Sequence, residues 1–302
     1  MNSKTYVVTG ANSGLGWGSA LLLAQMGANV VMLCRNRQRG EVALAEIRQR
    51  SGNPNVELIL ADLASQASIR RFVETFESRH DKLHGLLNCA GIATFHRRVT
   101  PDGLEVKFAT EYLGHFLLTN LLVDALRAGA PSRVVTVSGE DHRGVTIDFD
   151  DLQGERSWNV VRHGKQVVLA KILFTYELAR RLEGTGVSAN TLCPGLTRTN
   201  LARHMPWYVR LYAAVRFALA HPQTPEEGAS HNTNRSTLSA ILFHFSINFS
   251  GEFLTPTEQA RLYQLLLTGL MAMAVTLIWG PQTLTRRRVG KEGNLLTRRV
   301  ER

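Results

Sequence analysis

Cysteine is scarce: three residues, Cys34, Cys89 and Cys193, in a chain of 302. Their odd number and lack of paired, metal-type spacing exclude a disulfide framework and a cysteine metal site. Each lies in or beside an apolar run, so all three read as reduced core thiols of a cytosol-facing chain. No internal repeat or low-complexity linker is present, which excludes a solenoid or a tethered array. Met1 to Lys4 contains no signal-peptide core and leads directly into a strand, so the chain is not expected to be secreted. No nucleic-acid motif accompanies the formal charge of +10. Half of that excess falls in residues 281–302, where seven basic residues face two acidic ones. A basic tail of this kind suits anionic lipid or solvation better than nucleic acid.

What is present is a balance of 44% hydrophobic and 20% charged residues, enough to bury one large core. Short apolar, β-branched runs alternate with longer segments of helical period. The runs are Thr5 to Thr9, Asn29 to Cys34, Val56 to Leu60, Gly85 to Cys89, Arg133 to Ser138 and Val187 to Cys193. The helical segments are Leu15 to Met26, Arg39 to Arg50, Ala67 to Arg79, Leu104 to Leu126 and Val167 to Leu182. Such alternation predicts an α/β fold with a doubly wound parallel sheet of the Rossmann type, its ligand crevice outside the carboxyl ends of the strands. After Pro194 the regularity weakens, and residues 196–248, with an amphipathic stretch from Pro206 to Ala220, occupy the place of a substrate lid.

The first strand runs into Thr9-Gly10-Ala11-Asn12-Ser13-Gly14-Leu15-Gly16, which opens the first helix. Glycine allows the sharp turn and the close approach of a pyrophosphate, and the helix N-terminus offers N–H groups to phosphate oxygens. Alone such a turn is a weak signal; in a strand-turn-helix setting it predicts phosphate binding. Further motifs follow in order: Cys34-Arg35-Asn36, Ala61-Asp62-Leu63, Asn88-Cys89-Ala90-Gly91, Leu113-Gly114-His115-Phe116-Leu117-Leu118-Thr119-Asn120, Phe174-Thr175-Tyr176-Glu177-Leu178 and Cys193-Pro194-Gly195.

Over roughly residues 4 to 230 this set resembles the short-chain dehydrogenase/reductase family, nearest to its retinol-dehydrogenase-like branch. The resemblance implies a nicotinamide cofactor held by Gly10, Asn12, Ser13, Gly14, Leu15, Gly16, Arg35, Asp62, Leu63, Asn88, Ala90, Gly91, Pro194 and Gly195. By that resemblance Asp62 and Asn88 serve the adenine and the central strand region. Charge points to the cofactor's identity. An NAD site places a carboxylate at the end of the second strand, whereas a 2′-phosphate needs a cation there. Arg35 stands at that position with Arg37 and Arg39 behind it, and the planar guanidinium suits phosphate, so NADP(H) is expected.

Hydride transfer also needs a proton partner for the substrate oxygen. The family supplies a Tyr with a Lys one helical turn later, a Ser and an Asn. Counting back from Phe174-Thr175-Tyr176-Glu177-Leu178, the Tyr position falls on Gly164 and the Lys position on Val168. The Ser position falls on Gly139, beside Ser138, and the Asn position on Glu111. A register error does not rescue the pair, because none of the six tyrosines has a Lys four residues later. Candidate substitutes are His163, Lys165, Lys171, Glu140, Asp141 and His142. His163 and Lys165 each lie one residue, about 100°, from the Tyr position. Lys171 lies three past the Lys position and has a way to lean back a turn. Ser138 reads as a strand-end hydroxyl.

Phe249 to Leu254 resembles the family's last strand, and residues 257–302 form an appendage to a domain of residues 1–256. Within it Leu262 to Trp279 is 18 residues without charge, flanked by Arg261 and by Arg286-Arg287-Arg288. This is near the lower length limit for a membrane span, so membrane contact and protein packing both stand as readings. The expected protein is an NADP(H)-binding homologue of alcohol/carbonyl oxidoreductases impaired in ordinary hydride transfer. The alternative is an active oxidoreductase, isomerase or lyase with rewired acid-base residues such as Glu111 or Lys171. Its expected partners are a small hydrophobic or lipid-like ligand, a membrane surface through 262–279 and a second copy in a homodimer, with no metal and no nucleic acid.

Overall fold

The computed structural model describes residues 3–139, 142–194, 197 and 224–231. The chain divides into two compact units, Met1–Ser239 and Ala240–Arg302, and every described residue belongs to the first. The boundary expected at residue 256, the apolar segment 262–279 and all of 196–248 except Thr197 and 224–231 lie outside the described residues.

Six strands, β1 (Thr5–Thr9), β2 (Asn29–Cys34), β3 (Val56–Leu60), β4 (Gly85–Asn88), β5 (Ser132–Val137) and β6 (Val187–Leu192), form one sheet. The order is β3-β2-β1-β4-β5-β6 and every pairing is parallel. The order reverses between β1 and β4, so a crevice opens above their carboxyl ends, where the sheet sends successive chains to opposite sides. Alternating side chains feed two cores. Val7, Val31, Leu33, Leu86 and Val134 face one way and meet Phe72, Phe76, Leu118 and Leu126. Val8, Val30 and Met32 face the other way and meet Leu21 and Ile47. The near-continuous apolar strands follow from cover on both faces.

The helices are α1 (Gly14–Gln25), α2 (Arg37–Ser51), α3 (Gln66–Glu77), α4 (Val106–Phe108), α5 (Gly114–Leu121), α6 (Val123–Ala128), α7 (Val160–Arg181) and α8 (Pro225–His231). Their ends have local causes. The Asn36 side chain accepts from Arg39 N and Gly52 closes α2 in the left-handed region; the Ser65 hydroxyl accepts from Ser68 N before α3. Helix α7 starts seven residues before the expected Val167, because Asn159 accepts from the N–H groups of Val161 and Arg162.

Two expectations need correction. The single helix expected over Leu104 to Leu126 is broken: α4 gives way to a π-helical turn, Ala109–Leu113, before α5, and α5 ends one residue short of α6. A π turn admits one extra residue per turn and re-aims the side chains on either side. Cys193 is exposed, whereas Cys34 is buried and Cys89 partly so. It lies one residue past β6, the outermost strand among the described residues.

Candidate functional site

The glycine turn is shaped by contacts that forbid a side chain. Gly10 has φ +68°, and a Cβ there would stand 2.9 Å from Ala90 Cα. At Gly16 a Cβ would meet Gly10 O at 2.6 Å. The turn thus packs backbone on backbone, and the Gly10 N–H is donated to Leu33 O. Ser13, at the head of the 12-residue α1, caps no helical N–H with its side chain, leaving the first-turn donors directed at the crevice. Asn12, Ser13 and Gly14 line a cavity of about 590 Å³ together with Trp17, Gln38 and Arg39. These features fit a dinucleotide phosphate. Arg35 stands at the end of β2 with its guanidinium exposed, 3.8 Å from the Asp62 carboxylate. Arg39, which the sequence ranks behind Arg35, is the arginine that lines the cavity. Leu15 and Leu63 are buried and support the turn from within.

Beneath this turn a single hydroxyl organises the Asn88-Cys89-Ala90-Gly91 corner. Thr9 Oγ accepts from the N–H groups of Cys89 and Ala90, both at 2.9 Å, and contacts His115 Nε2 at 3.0 Å. Sequence reading missed Thr9, which looks like an ordinary strand residue. Asn88 is buried; its amide donates to Thr119 Oγ and Thr136 Oγ, tying β4 to α5 and β5. Its carboxamide oxygen is buried without a partner among the described residues. Asn88 thus braces the central strand through its amide. Pro194 lies at the end of β6, and Gly195 falls outside the described residues.

The positions that the resemblance assigns to proton transfer carry Gly164, Val168, Gly139 and Glu111, and the structure gathers Lys107 and Lys171 around the last of these. Gly164 and Val168 lie on α7, and Lys171 and Thr175 continue the same face at helical spacing. Glu111 sits on the π turn and is buried. Its Oε2 accepts from Lys171 Nζ at 3.1 Å, its Oε1 accepts from Ile92 N at 3.0 Å, and Lys107 Nζ also donates to Oε1. Burial pushes the Glu111 carboxyl up, but the Lys107 and Lys171 ammoniums and the hydrogen bonds from Lys107 and Ile92 N outweigh it and bring it down to about 2. Lys171 is thus engaged with Glu111 rather than leaning back toward Val168. Lys107 was not singled out from sequence; its signal, a Lys four residues before a Glu, is also that of any exposed helical pair.

His115, one turn after Glu111, contacts Glu111 O at 2.9 Å through Nδ1. Burial first, and Lys171 second, lower its imidazole to about 4 against the opposing pull of Glu111, so it is neutral at neutral pH. The Cys89 thiol is pushed up to about 12 by burial and is not a thiolate. Among the other candidates, His163 is buried against Glu105, with Nε2 2.7 Å from Oε2. Glu105 also accepts from Phe108 N, so this pair anchors the start of α4. Ser138 follows β5 and donates its backbone N–H and hydroxyl to Leu192 O, as a strand-end residue does. Gly139 offers no side chain, and His142 Nδ1 lies 2.8 Å from its carbonyl. Glu140 and Asp141 are outside the described residues. Among the described residues no group of His, Cys, Asp and Glu is arranged to hold a metal. None of their helices is long and apolar enough to cross a membrane.

A parallel sheet in the order 3-2-1-4-5-6 with a glycine turn at its switch point defines a nucleotide-binding α/β protein. The family model for short chain dehydrogenase matches residues 4–143. The chain is 44% identical over 245 residues to retinol dehydrogenase 14 of Homo sapiens, covering 76% of this chain and 72% of that protein. It is 40% identical over 232 residues to human polyprenol dehydrogenase, covering 75% and 70%. A solved short chain dehydrogenase/reductase family protein superposes with a TM-score of 0.59 at 26% identity, covering 77% of this chain and 89% of that one. The chain belongs to the short-chain dehydrogenase/reductase family and is retinol-dehydrogenase-like.

Proposed function

We propose that this chain binds NADP(H) and an apolar, lipid-like ligand but has lost ordinary hydride-transfer catalysis. The observation that carries the reading is the fate of the proton-transfer positions. Position 164 bears no hydroxyl, position 168 bears no cation, and Glu111 is held between Lys107 and Lys171. A carboxyl held at about 2 does not take up a proton at neutral pH, which argues against Glu111 as a general base. Lys171 is spent on the same carboxylate, so among the described residues neither it nor Glu111 is placed to exchange a proton with the substrate oxygen.

Cofactor binding is supported by the glycine cradle and the cavity beside it. Arg35 and Arg39 would hold the 2′-phosphate, and the first-turn N–H groups of α1 the pyrophosphate. A bound nicotinamide would supply the hydride. The relatives named as retinol and polyprenol dehydrogenases support a long apolar alcohol, or its oxidised form, as the ligand class. In the same reading residues 257–302 form an appendage whose segment 262–279 meets a membrane facing the cytoplasm. The test pairs two measurements on the full chain: NADPH binding by titration and NADPH oxidation with an apolar aldehyde. Binding without turnover is the expected outcome; turnover, or no binding, contradicts the proposal.

A further inference from the structure

The buried ion cluster carries more positive charge than negative. Two ammoniums, Lys107 and Lys171, share the one carboxylate of Glu111. Among the described residues packed around it, the Glu105 carboxyl is held below its ordinary range and is paired with His163 rather than with the cluster. His115 and Cys89 are neutral at neutral pH. Glu105 is bound to His163 and to Phe108 N, and no ion pair joins it to Lys107 among the described residues. An ammonium shielded from water without a counter-charge is costly, so the cluster suits one more anion.

Access decides where that anion would sit. The side chains of Glu111 and Lys171 are 6% and 9% exposed, that of Lys107 16%, so Lys107 has the way out. Beside it is the vacant Tyr position. A Cβ built on Gly164 meets one atom within 4 Å, Lys107 Cε at 3.8 Å. The room that a side chain at 164 would fill is open and ends at the lysine. Two of the three N–H donors of Lys107 go to Ile92 O and Glu111, leaving one to point at a ligand.

We infer that Lys107 receives the carboxylate of an apolar monocarboxylic acid in the space beside Gly164, which makes this pocket a receptor for the acid rather than the alcohol or the aldehyde. The inference rests on the apolar-ligand reading above. An alcohol or aldehyde brings no charge to balance the second ammonium, whereas a carboxylate does, through charge-assisted hydrogen bonds.

The test is calorimetric titration of the full-length chain with decanoate, decanol and acetate at neutral pH. Decanoate is expected to bind in preference to both others. Lys107→Gln should weaken decanoate about tenfold or more, as loss of a charged hydrogen bond does. Gly164→Leu, which fills the opening against the Lys107 stem and leaves the charges of the cluster in place, should abolish decanoate binding while NADPH still binds; it decides the matter if Lys107→Gln folds poorly. Equal binding of decanol, equal binding of acetate, or full decanoate binding by Gly164→Leu overturns the inference. Failure of the native chain to bind decanoate while it binds NADPH refutes this site alone, whereas failure of the native chain to bind NADPH refutes the proposed function.

Discussion

Replacing Glu111 by Gln removes the carboxylate that the buried Lys171 ammonium and the half-buried Lys107 ammonium share. Breaking a buried ion pair by deleting one partner costs about 3–5 kcal/mol, since a charge is left without compensation. The glutamine carbonyl can still accept from Ile92 N, which places the expected loss near the lower end. Proton linkage gives a second route to the size. Moving a carboxyl from its ordinary 4.5 to about 2 corresponds to about 3 kcal/mol. The sign follows from which state binds the proton first. Between pH 4.5 and 2 the unfolded chain is protonated at this group while the folded chain is not. The contribution is therefore complete above pH 4.5 and lost as pH falls to about 2. Urea unfolding of the full chain should show Glu111→Gln less stable by about 3 kcal/mol at pH 7, with a flatter stability curve across that acid window. Replacing the whole cluster, Lys107→Met with Glu111→Leu and Lys171→Met, should recover most of the loss, because buried ion pairs are often no better than apolar packing. A Glu111→Gln change within about 0.5 kcal/mol of native stability, the range of an ordinary surface substitution, would refute this account of the cluster.

Three further predictions address other parts of the site. Arg35→Ala should weaken NADPH by about 1.5–3 kcal/mol while leaving NADH little changed, measured by paired titrations; equal loss for both would remove the 2′-phosphate assignment. His115 is lowered to about 4 by burial and so contributes stability above pH 6.5 that disappears as pH falls to 4; His115→Gln should flatten unfolding free energy across that window. Thr9→Val keeps the shape of the side chain but leaves the Cys89 and Ala90 N–H groups without their acceptor, with an expected loss of about 1–3 kcal/mol in thermal or urea unfolding.

The sheet was legible because each strand is a short apolar run that both faces must bury, and its limits agree with expectation to within one residue at each end. The glycine turn was legible for the same reason: backbone contact at Gly10 and Gly16 leaves no room for another residue. The break near Glu111 was not. Leu104 to Leu126 keeps a continuous helical pattern, and the π turn accompanies the burial of Glu111 between elements distant in sequence. Lys107 was hidden similarly, since spacing of four to a Glu does not distinguish a solvated pair from one buried under α7. Thr9 looked like any β-branched strand residue until its hydroxyl was seen between β4 and His115. The early start of α7 was missed because the capping role of Asn159 was given no weight, though Asn is a favoured residue there. Cys193 sits in an apolar run, and its exposure appears only once the strands described are set in order.

The central claim is the proposal that this chain binds NADP(H) and lacks the tyrosine-lysine proton partner that the resemblance places at positions 164 and 168. The most direct measurement is the rate of NADPH oxidation with retinal by the native chain, at NADPH concentrations shown by titration to saturate it. The account predicts no turnover above background, and detectable turnover once Gly164→Tyr, Val168→Lys and Gly139→Ser are introduced together, because these groups act as a unit. Native turnover that is abolished by Lys171→Ala or Glu111→Gln would contradict it and identify a rewired enzyme.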